Sequence, residues 1–228
     1  MTEEADAKSR RALRRFRREH PGALVVAAGC YCERDRAGLE AMAGVDRVLD
    51  NAQKERFAES LGLLPDEGAA LPSGISRFAG RTRAFVKVQD GCDRFCSYCI
   101  VPYVRGRSCS RATAAVLDEV RGLVANGYRE IVLTGVHLGG YADGESRLPK
   151  LVGALDEIAG LLRVRVSSID PLDVTRDLVE TIASSRTVCP HLHVSLQSGS
   201  SAVLARMNRG YTRDEYLGMV EHAAAAIP

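Results

Sequence analysis

The spacing of apolar residues predicts that helices and strands alternate along most of the chain. Before residue 62, short apolar runs separate helical patterns, as in a small α/β unit. The predicted elements of this unit are, in order, a helix at 3–20, a strand at 24–28, a helix at 35–42, a strand at 45–49 and a helix at 53–61. Glycine and proline then recur, which indicates a linker. The predicted division is therefore a first domain at 1–61, a linker at 62–82 and a second domain at 83–228.

The second domain repeats a strand followed by a helix. The predicted strands are 84–88, 130–134, 163–167 and 191–196, and the predicted helices are 112–125, 148–158, 173–183 and 213–225. Helical connections of this kind imply parallel strands. Four such units are too few to close an eight-stranded barrel, so the fold class is α/β with a partial barrel. Polar motifs follow each strand, at the sheet edge where parallel α/β proteins place their chemistry.

Three cysteines lie within eight residues, directly after the first strand of this domain. Cys92, Cys96 and Cys99 have the spacing C-x3-C-x2-C, short enough for three thiolates to surround one face of a metal centre. Thiolates at short spacings hold iron–sulfur clusters, and three ligands leave one iron of a [4Fe–4S] cluster open to a substrate. A closed zinc site needs four protein ligands, so the alternative is zinc with Cys109 or a histidine as the fourth.

The composition limits the class of protein and its compartment. Apolar residues make up 46% of the 228 residues, which is enough for a packed core. No stretch is both apolar enough and long enough to cross a bilayer, so we expect no membrane partner. Seven cysteines, three of them clustered, argue against a disulfide framework and for the reducing cytoplasm.

The first predicted helix carries a cluster of basic residues. Its exposed arginines are expected to include Arg11, Arg14, Arg15 and Arg18, which share a face at helical spacing. The whole chain has a formal charge of only +2, so any affinity for nucleic acid must come from such a local patch. Two interpretations stay open: a contact for RNA phosphates, or a solvated charged face.

The cysteine motif resembles the cluster loop of the radical S-adenosylmethionine (SAM) superfamily. In that loop an aromatic residue precedes the last cysteine, and Tyr98 has this place here. The resemblance implies that SAM binds the open iron and that an electron from the cluster cleaves its carbon–sulfur bond. The resulting 5′-deoxyadenosyl radical abstracts hydrogen from an unreactive carbon. The cofactors carry this chemistry, and the protein holds them in register.

Longer motifs are similar to the methylthiotransferase branch of that superfamily. They are residues 89–107, residues 197–200, the run Met207-Asn208-Arg209, and Tyr211-Thr212. Residues 135–139 and 167–171 are most similar to the threonylcarbamoyladenosine branch. The resemblance implies addition of a methylthio group to C2 of the modified adenosine beside the tRNA anticodon. It also implies tRNA and a reducing electron donor as partners.

The resemblance assigns site residues as well. It implies Cys92, Cys96 and Cys99 as ligands of the SAM-binding cluster and Cys30 as a ligand of a second [4Fe–4S] cluster. It places further residues around SAM: Tyr98 at the adenine, Gly135 and His137 near the amino group, and Ser168, Gln197 and Ser198 at the ribose or carboxylate. Arg107 suits a SAM carboxylate or an RNA phosphate. For each of these the plainer alternative is a packing or solvated role.

The resemblance covers a partial family member. Residues 1–61 match the C-terminal half of the family's N-terminal domain, and two of the three ligands of the second cluster have no counterpart. We therefore expect that the chain alone does not complete methylthio transfer. Alternative substrates are isopentenyladenosine in tRNA or a ribosomal protein. A different class of alternative is a non-catalytic Fe–S or zinc protein that binds RNA through its basic helix.

Overall fold

The computed structural model describes residues 3–55, 57–62, 74–78 and 80–227. The chain divides into two compact units, one of Met1–Leu71 with Tyr103–Arg105 and one of Pro72–Pro102 with Gly106–Pro228. Most of the predicted linker lies outside the described residues, because these omit 63–73 and 79. In the described part of the chain, no helix is both long and apolar enough to cross a membrane.

The first unit is a two-stranded parallel sheet with short helices. Its elements are α1 (Glu3–Glu19), β1 (Val26–Ala28), α2 (Cys30–Arg34), α3 (Arg36–Glu40), β2 (Arg47–Leu49), α4 (Asn51–Glu55) and α5 (Phe57–Ser60). Strand β1 pairs with β2 in register Val26 to Arg47. Its small buried core consists of Ala27, Tyr31, Cys32, Leu39 and Val48. The apolar pattern did not predict α2, which begins directly after the Gly29 turn.

The second unit is a mixed sheet with helical crossovers. Its elements are β3 (Arg83–Asp90), α6 (Val101–Val104), β4 (Cys109–Ser110), α7 (Thr113–Ala125), β5 (Glu130–Gly135), β6 (Ala142–Asp143), β7 (Ser146–Arg147), α8 (Leu148–Asp156), β8 (Arg163–Val166), α9 (Arg176–Ser184), α10 (Ser201–Arg206) and α11 (Arg213–Ala226). Two 3-10 turns, Leu138–Gly140 and Pro171–Asp173, follow β5 and β8. The sheet order is β4-β3-β5-β8, and β3, β5 and β8 are parallel. This confirms the predicted parallel α/β fold.

The core of this unit lies between the sheet and its helices. Val86 in β3 and Ile131 and Leu133 in β5 are fully buried. Val120 of α7 and Leu151 of α8 are also fully buried in the same cluster. Burying one such side chain contributes about 1.5–3 kcal/mol. The sheet therefore gives the loops at its carboxyl edge a rigid support.

The predicted strand at 191–196 is wrong as a continuous strand. The segment after α9 touches the sheet through two single-residue bridges, Val188 with Val164 and Val194 with Ile169. Between them Pro190 has no N–H to donate, and the His191 N–H turns back to the Cys189 carbonyl at 2.7 Å. Three long parallel strands therefore support the site instead of the expected four.

Candidate metal centre

The cysteine loop begins with a glycine turn at the carboxyl end of β3. Gly91 has φ +68°, and a Cβ built there would lie 2.0 Å from the Arg107 carbonyl oxygen. The Cys92 N–H donates to the Gly106 carbonyl at 3.1 Å. Asp93 accepts from the Arg107 guanidinium at 3.1 Å. The loop therefore lies directly against the 106–108 segment, in a space that only glycine fits.

The three cysteines face the same region. All are free, with Cys96 buried and Cys92 and Cys99 half-buried, and the Cys99 N–H closes a turn on the Cys96 carbonyl at 2.9 Å. Burial raises the pKa of the Cys92 thiol, and the neighbouring Cys96 and Cys99 sulfurs raise it further. The Cys92 sulfur therefore lies within electrostatic range of the Cys96 and Cys99 sulfurs.

The donor set fits an iron–sulfur cluster. Across the described residues, no group of three or more His, Cys, Asp or Glu side chains is spaced to hold one metal ion. N–H donors also face two of the sulfurs: the Arg94 backbone reaches Cys92 Sγ at 3.4 Å, and Arg209 reaches Cys96 Sγ at 3.0 Å. Such donors accompany cluster thiolates.

A buried arginine contacts the middle cysteine. Arg209 follows α10 and is only 8% exposed. Besides Cys96, its guanidinium donates to Asp170 Oδ2 at 2.5 Å and to the Tyr98 and Tyr211 hydroxyls at 3.4 Å. Burial lowers the pKa of Arg209, but its bond to Tyr211 and the charge of Asp170 raise it more. The side chain therefore stays cationic beside the thiol.

A second arginine–aspartate pair lies on the other side of the loop. The Arg94 guanidinium donates to Asp173 Oδ1 at 2.7 Å, and its Nε lies 3.3 Å from His137 Nε2. The same His137 nitrogen lies 2.6 Å from Asp173 Oδ2. Gly139 lies so close to this group that a Cβ there would be 2.2 Å from Asp173 Cβ. Asp170 caps the 3-10 turn after β8 and pairs with Arg209, and Asp173 ends that turn and pairs with Arg94.

Gln89 joins the cysteine loop to the loop after β5. Its side-chain amide donates to the Gly91 carbonyl at 2.9 Å and to Ser108 Oγ at 3.0 Å. Its Oε1 accepts from the His137 backbone N–H at 2.7 Å. The residue is 1% exposed, and both ends of its side-chain amide are hydrogen-bonded. The sequence interpretation did not assign Gln89 a role, although a polar residue near the end of an apolar strand was the available signal.

Comparisons with known proteins identify the fold family. The model of the radical SAM superfamily matches residues 86–228. The chain belongs to the radical SAM superfamily. This confirms the resemblance noted from the cysteine motif, and with it the prediction of a [4Fe–4S] cluster and SAM as the family's cofactors.

The most similar radical SAM relatives include tRNA-modifying enzymes. One is the threonylcarbamoyladenosine tRNA methylthiotransferase MtaB of Chlamydia pneumoniae, 44% identical over 100% of this chain and 54% of that protein. Another is the tRNA-2-methylthio-N(6)-dimethylallyladenosine synthase of Carboxydothermus hydrogenoformans, 35% identical over 95% of this chain and 53% of that protein. The chain therefore spans about half the length of the curated relatives that it matches.

Solved radical SAM structures share the fold at low sequence identity. The methyltransferase TsrM from Kitasatospora setae, with tryptophan substrate and a SAM analog bound, superposes with a TM-score of 0.65 and 16% identity. That match covers 96% of this chain and 51% of TsrM. The cobalamin-dependent SAM radical enzyme OxsB matches with a TM-score of 0.59 and 13% identity, over 94% of this chain and 37% of OxsB. These likenesses support the fold.

The residues predicted to surround SAM in this radical SAM fold lie in several loops at the carboxyl edge. Tyr98 is 52% exposed, and burial of its inner part raises its pKa. Gly135 ends β5, where a Cβ would lie 3.1 Å from Gln89 Oε1. Ser168 is exposed, with its hydroxyl 2.7 Å from His193 Nδ1. His193 is also exposed.

The loop after the Val194 bridge has an unusual backbone. Gln197 is exposed and has φ 67°, a left-handed conformation that is uncommon outside glycine. The Ser198 N–H closes a turn on the Leu196 carbonyl at 2.9 Å, and Ser198 Oγ accepts from the Ser200 N–H at 3.2 Å. Roles for Gln197 and Ser198 at SAM stay predictions.

A segment that sequence reasoning gave no role docks onto the cysteine loop. Asn208, with φ 54°, donates its side-chain amide to the Phe95 carbonyl at 3.0 Å. The Met207 carbonyl accepts from the Ser97 N–H at 3.1 Å. The radical SAM loop is thus held by the chain around residues 207–209, far away in sequence. The signal available from the sequence was the similarity of the run Met207-Asn208-Arg209 to the methylthiotransferase branch.

Cys30 is a predicted site residue in the first unit. Cys30 starts α2, and its sulfur accepts from Arg105 Nε at 3.2 Å. Its role as a ligand of a second cluster stays a prediction. Cys32, two residues on, is buried in the core instead.

The arginines of α1 separate into two groups. Arg10 donates to the Tyr31 hydroxyl at 2.6 Å, and Arg17 donates to the Gly44 carbonyl at 3.2 Å, so both hold the first unit together. The other four are exposed and line one shallow groove on the helix surface, namely Arg11, Arg14, Arg15 and Arg18. Arg107, in the second unit, is also exposed and pairs with Asp93.

Proposed function

We propose that this chain holds a [4Fe–4S] cluster and SAM as part of a tRNA methylthiotransferase. The substrate is N6-threonylcarbamoyladenosine next to the anticodon, which receives a methylthio group at C2. One observation carries the proposal: three free thiols meet on one loop at the carboxyl end of β3, beside N–H donors. The 44% identity to the protein named as a threonylcarbamoyladenosine tRNA methylthiotransferase supports the substrate.

The chain's own residues hold the cofactors in this proposal. Cys92, Cys96 and Cys99 would hold the cluster through their thiolates. A cluster in this position supplies the electron that cleaves the carbon–sulfur bond of SAM. Tyr98 covers the SAM adenine, and the Gly135 backbone contacts the amino group. The His137 carbonyl is the group proposed to contact SAM, because the ring is engaged by Asp173 and Arg94 and the backbone N–H by Gln89 Oε1.

Three further residues complete the proposed cofactor site. Ser168, Gln197 and Ser198 lie in loops that follow β8 and the Val194 bridge, on the same side of the sheet as the cysteines. Their hydroxyl and amide groups donate and accept hydrogen bonds, as a ribose or a carboxylate requires. Cys30 would be one ligand of the second cluster.

The partners follow from the same chemistry. The exposed arginines of α1 contact tRNA phosphates, and a reducing protein or small molecule donates the electron. The enzyme works in the cytoplasm, where its tRNA substrate is found. These partners rest on the tRNA-modifying names of the relatives and on the charge of α1.

A test of the cofactor assignment is anaerobic reconstitution with iron and sulfide. We expect about four irons and four sulfides per chain, and 5′-deoxyadenosine after SAM and a strong reductant are added. Cys96→Ser is expected to lose both the cluster and the product. Cys109→Ser is the matched control, because Cys109 is exposed and lies outside the loop. One zinc per chain without sulfide would overturn the proposal.

The substrate needs a separate test, because several relatives are named for dimethylallyladenosine in tRNA. Anticodon-loop RNA hairpins carrying threonylcarbamoyladenosine or dimethylallyladenosine are compared for binding to the reconstituted chain. We expect tighter binding of the threonylcarbamoyladenosine hairpin. A preference for the dimethylallyladenosine hairpin would move the assignment to the second group of relatives and leave the cofactor proposal intact.

A further inference from the structure

The cofactor proposal does not explain why Arg209 is buried beside the cysteine loop. It lies beyond α10, more than a hundred residues from the cysteines, yet its Nη1 is 3.0 Å from Cys96 Sγ. It is 8% exposed, and a guanidinium is seldom buried without a specific partner. A structural ion pair with Asp170 alone would leave its contact with the thiol unexplained.

The geometry around Arg209 fixes its orientation. Nη2 donates to Asp170 Oδ2 at 2.5 Å, and Asp170 is itself held at the start of a 3-10 turn by the Leu172 N–H. The Tyr211 ring lies 5.4 Å from the guanidinium carbon. The Tyr211 hydroxyl is in turn anchored on the Leu196 carbonyl at 2.8 Å. The Arg209 guanidinium is planar, so pairing of its Nη2 with Asp170 directs its Nη1 toward the Cys96 sulfur.

The two arginines beside the cysteine loop differ in what they offer. Arg94 directs its guanidinium toward Asp173 and His137 and gives only its backbone N–H to Cys92. Arg209 directs its cation to Cys96 itself. Charge near a cluster sulfur and hydrogen bonds to that sulfur set the reduction potential of the cluster. Arg94 is therefore placed to hold the loop, whereas Arg209 is placed to change the electrostatics at a cluster sulfur.

We infer that Arg209, oriented by Asp170 and Tyr211, is a positioning residue that holds the Cys96 sulfur for the cluster and raises the cluster's reduction potential. Reduction adds one negative charge to the cluster. A fixed cation 3.0 Å from a ligand sulfur stabilises the reduced form more than the oxidised form. The inference rests on the cofactor assignment made above.

The test measures iron retention and midpoint potential of the reconstituted chain without SAM. For Arg209→Gln we expect iron retention against a chelator to fall about tenfold and the midpoint potential to become more negative. Arg209→Lys, which keeps the charge but loses the fork, is expected to lie between Arg209→Gln and the unchanged protein. Arg206→Gln is the matched control, because Arg206 is exposed at the end of α10. We expect it to match the unchanged protein.

A double variant separates the electronic effect from a folding defect. Arg209→Gln alone removes the nearest cation from the buried Asp170 and leaves it the Arg94 guanidinium at 4.0 Å, which destabilises the fold. The Asp170→Asn/Arg209→Gln variant removes both charges, so its melting temperature should recover toward that of the unchanged protein. Its midpoint potential should stay more negative, because Cys96 still lacks its cationic donor.

The outcomes distinguish a failure of the role proposed for Arg209 from a failure of the cofactor assignment. If the double variant and Arg209→Gln both keep the potential and iron retention of the unchanged protein, the role of Arg209 is refuted and the cofactor assignment stands. If the unchanged protein assembles no four-iron cluster, the cofactor assignment fails, and the role of Arg209 fails with it. The electron paramagnetic resonance spectrum of the reduced protein decides which case applies.

Discussion

Gly91 sets the path of the cysteine loop at the scale of one residue. It has φ +68°, and a β-carbon at this position would lie only 2.0 Å from its nearest neighbour, the Arg107 carbonyl oxygen. Any side chain would therefore push the 106–108 backbone away from the loop. Gly106, on the facing segment, has a similar φ of +76° but open space around it.

This pair of glycines allows a matched prediction. Gly106→Ala meets only the cost of a left-handed backbone, about 1–2 kcal/mol. Gly91→Ala adds a steric clash of about 1–3 kcal/mol and displaces Cys92. We expect Gly91→Ala to lower both the melting temperature and the iron content after reconstitution, and Gly106→Ala to keep its iron content. Equal iron content in the two variants would show that the close approach at Gly91 does not position the ligands.

The sequence singled out the three cysteines but not the residues that contact their loop. Cys92, Cys96 and Cys99 carry a local spacing that can be read directly. Gln89 and Arg209 act through partners distant in sequence, His137 for one and Cys96 for the other. No local pattern records which distant atom a buried polar side chain will meet, so these contacts appear only once the sheet has assembled.

A carboxylate fastens the connection after α9 at the scale of an element. Asp156 ends α8 and is 13% exposed. It accepts from Ser185 Oγ at 2.7 Å, from the Thr187 N–H at 2.8 Å and from Thr187 Oγ1 at 2.6 Å. Burial raises the pKa of Asp156, but these hydrogen bonds together lower it to about 2. The clamp brings Val188 to its bridge with β8.

This lowered pKa predicts a pH dependence of stability. A carboxyl whose folded pKa is below its unfolded value stabilises the fold above the unfolded pKa, here 3.8, and loses that contribution as the pH falls to about 2. The contribution is about 2 kcal/mol, which Asp156→Asn should remove. We expect the difference in unfolding free energy between the unchanged protein and Asp156→Asn to shrink between pH 4 and pH 2.

The neighbouring residue supplies the control for this measurement. Glu157 is 78% exposed and lies 4.0 Å from Arg186, a surface pair of small energetic value. Glu157→Gln should therefore leave the free energy of unfolding nearly unchanged at every pH, as measured by urea titration. An equal effect of the two substitutions would argue against the clamp.

The exposed face of α1 is the element expected to bind RNA. Its four arginines are free of the first unit's core, whereas Arg10 and Arg17 are engaged within it. Each phosphate contact contributes about one to the slope of log affinity against log salt. The Arg14→Gln/Arg18→Gln variant should weaken binding to an anticodon-stem RNA and reduce that slope by about two.

A charge-matched variant tests whether RNA binding depends on this face of α1 or only on the net charge of the protein. Arg121 and Arg186 are 59% and 77% exposed on the second unit. The Arg121→Gln/Arg186→Gln variant removes the same charge away from α1 and should keep both affinity and salt slope, as read by fluorescence anisotropy. If both double variants weaken binding equally, the α1 face has no special role.

At the scale of the whole molecule, the order of the long strands and helices could be predicted from the sequence, but the short elements could not. Apolar periodicity gave the parallel strands β3, β5 and β8 and the helices between them, because burial on both faces leaves a strong pattern. It predicted a strand at 191–196 that the structure does not contain: within this segment only Val194 bridges the sheet, and Pro190 separates that bridge from the one at Val188. It missed α2 and α10, since helices of five or six residues carry too few turns for a period to show.

The two units also differ in the support that their sheets receive. Among the described residues, the buried cluster around β1 and β2 has five members, whereas that around β3, β5 and β8 has twenty-three. Local opening is easiest where few apolar contacts cover the backbone hydrogen bonds. The paired register of β1 and β2 extends over only three residues.

Hydrogen exchange should therefore report a lower opening free energy for β1 and β2 than for β5. Leu39 is 1% exposed in the smaller cluster, and Leu39→Ala should cost about 2–5 kcal/mol and abolish the remaining protection of β1 and β2. Leu24→Ala is the control, because Leu24 lies in the same unit and is 54% exposed. Protection of β1 and β2 equal to that of β5, or unchanged in Leu39→Ala, would mean that burial within this unit does not determine its stability.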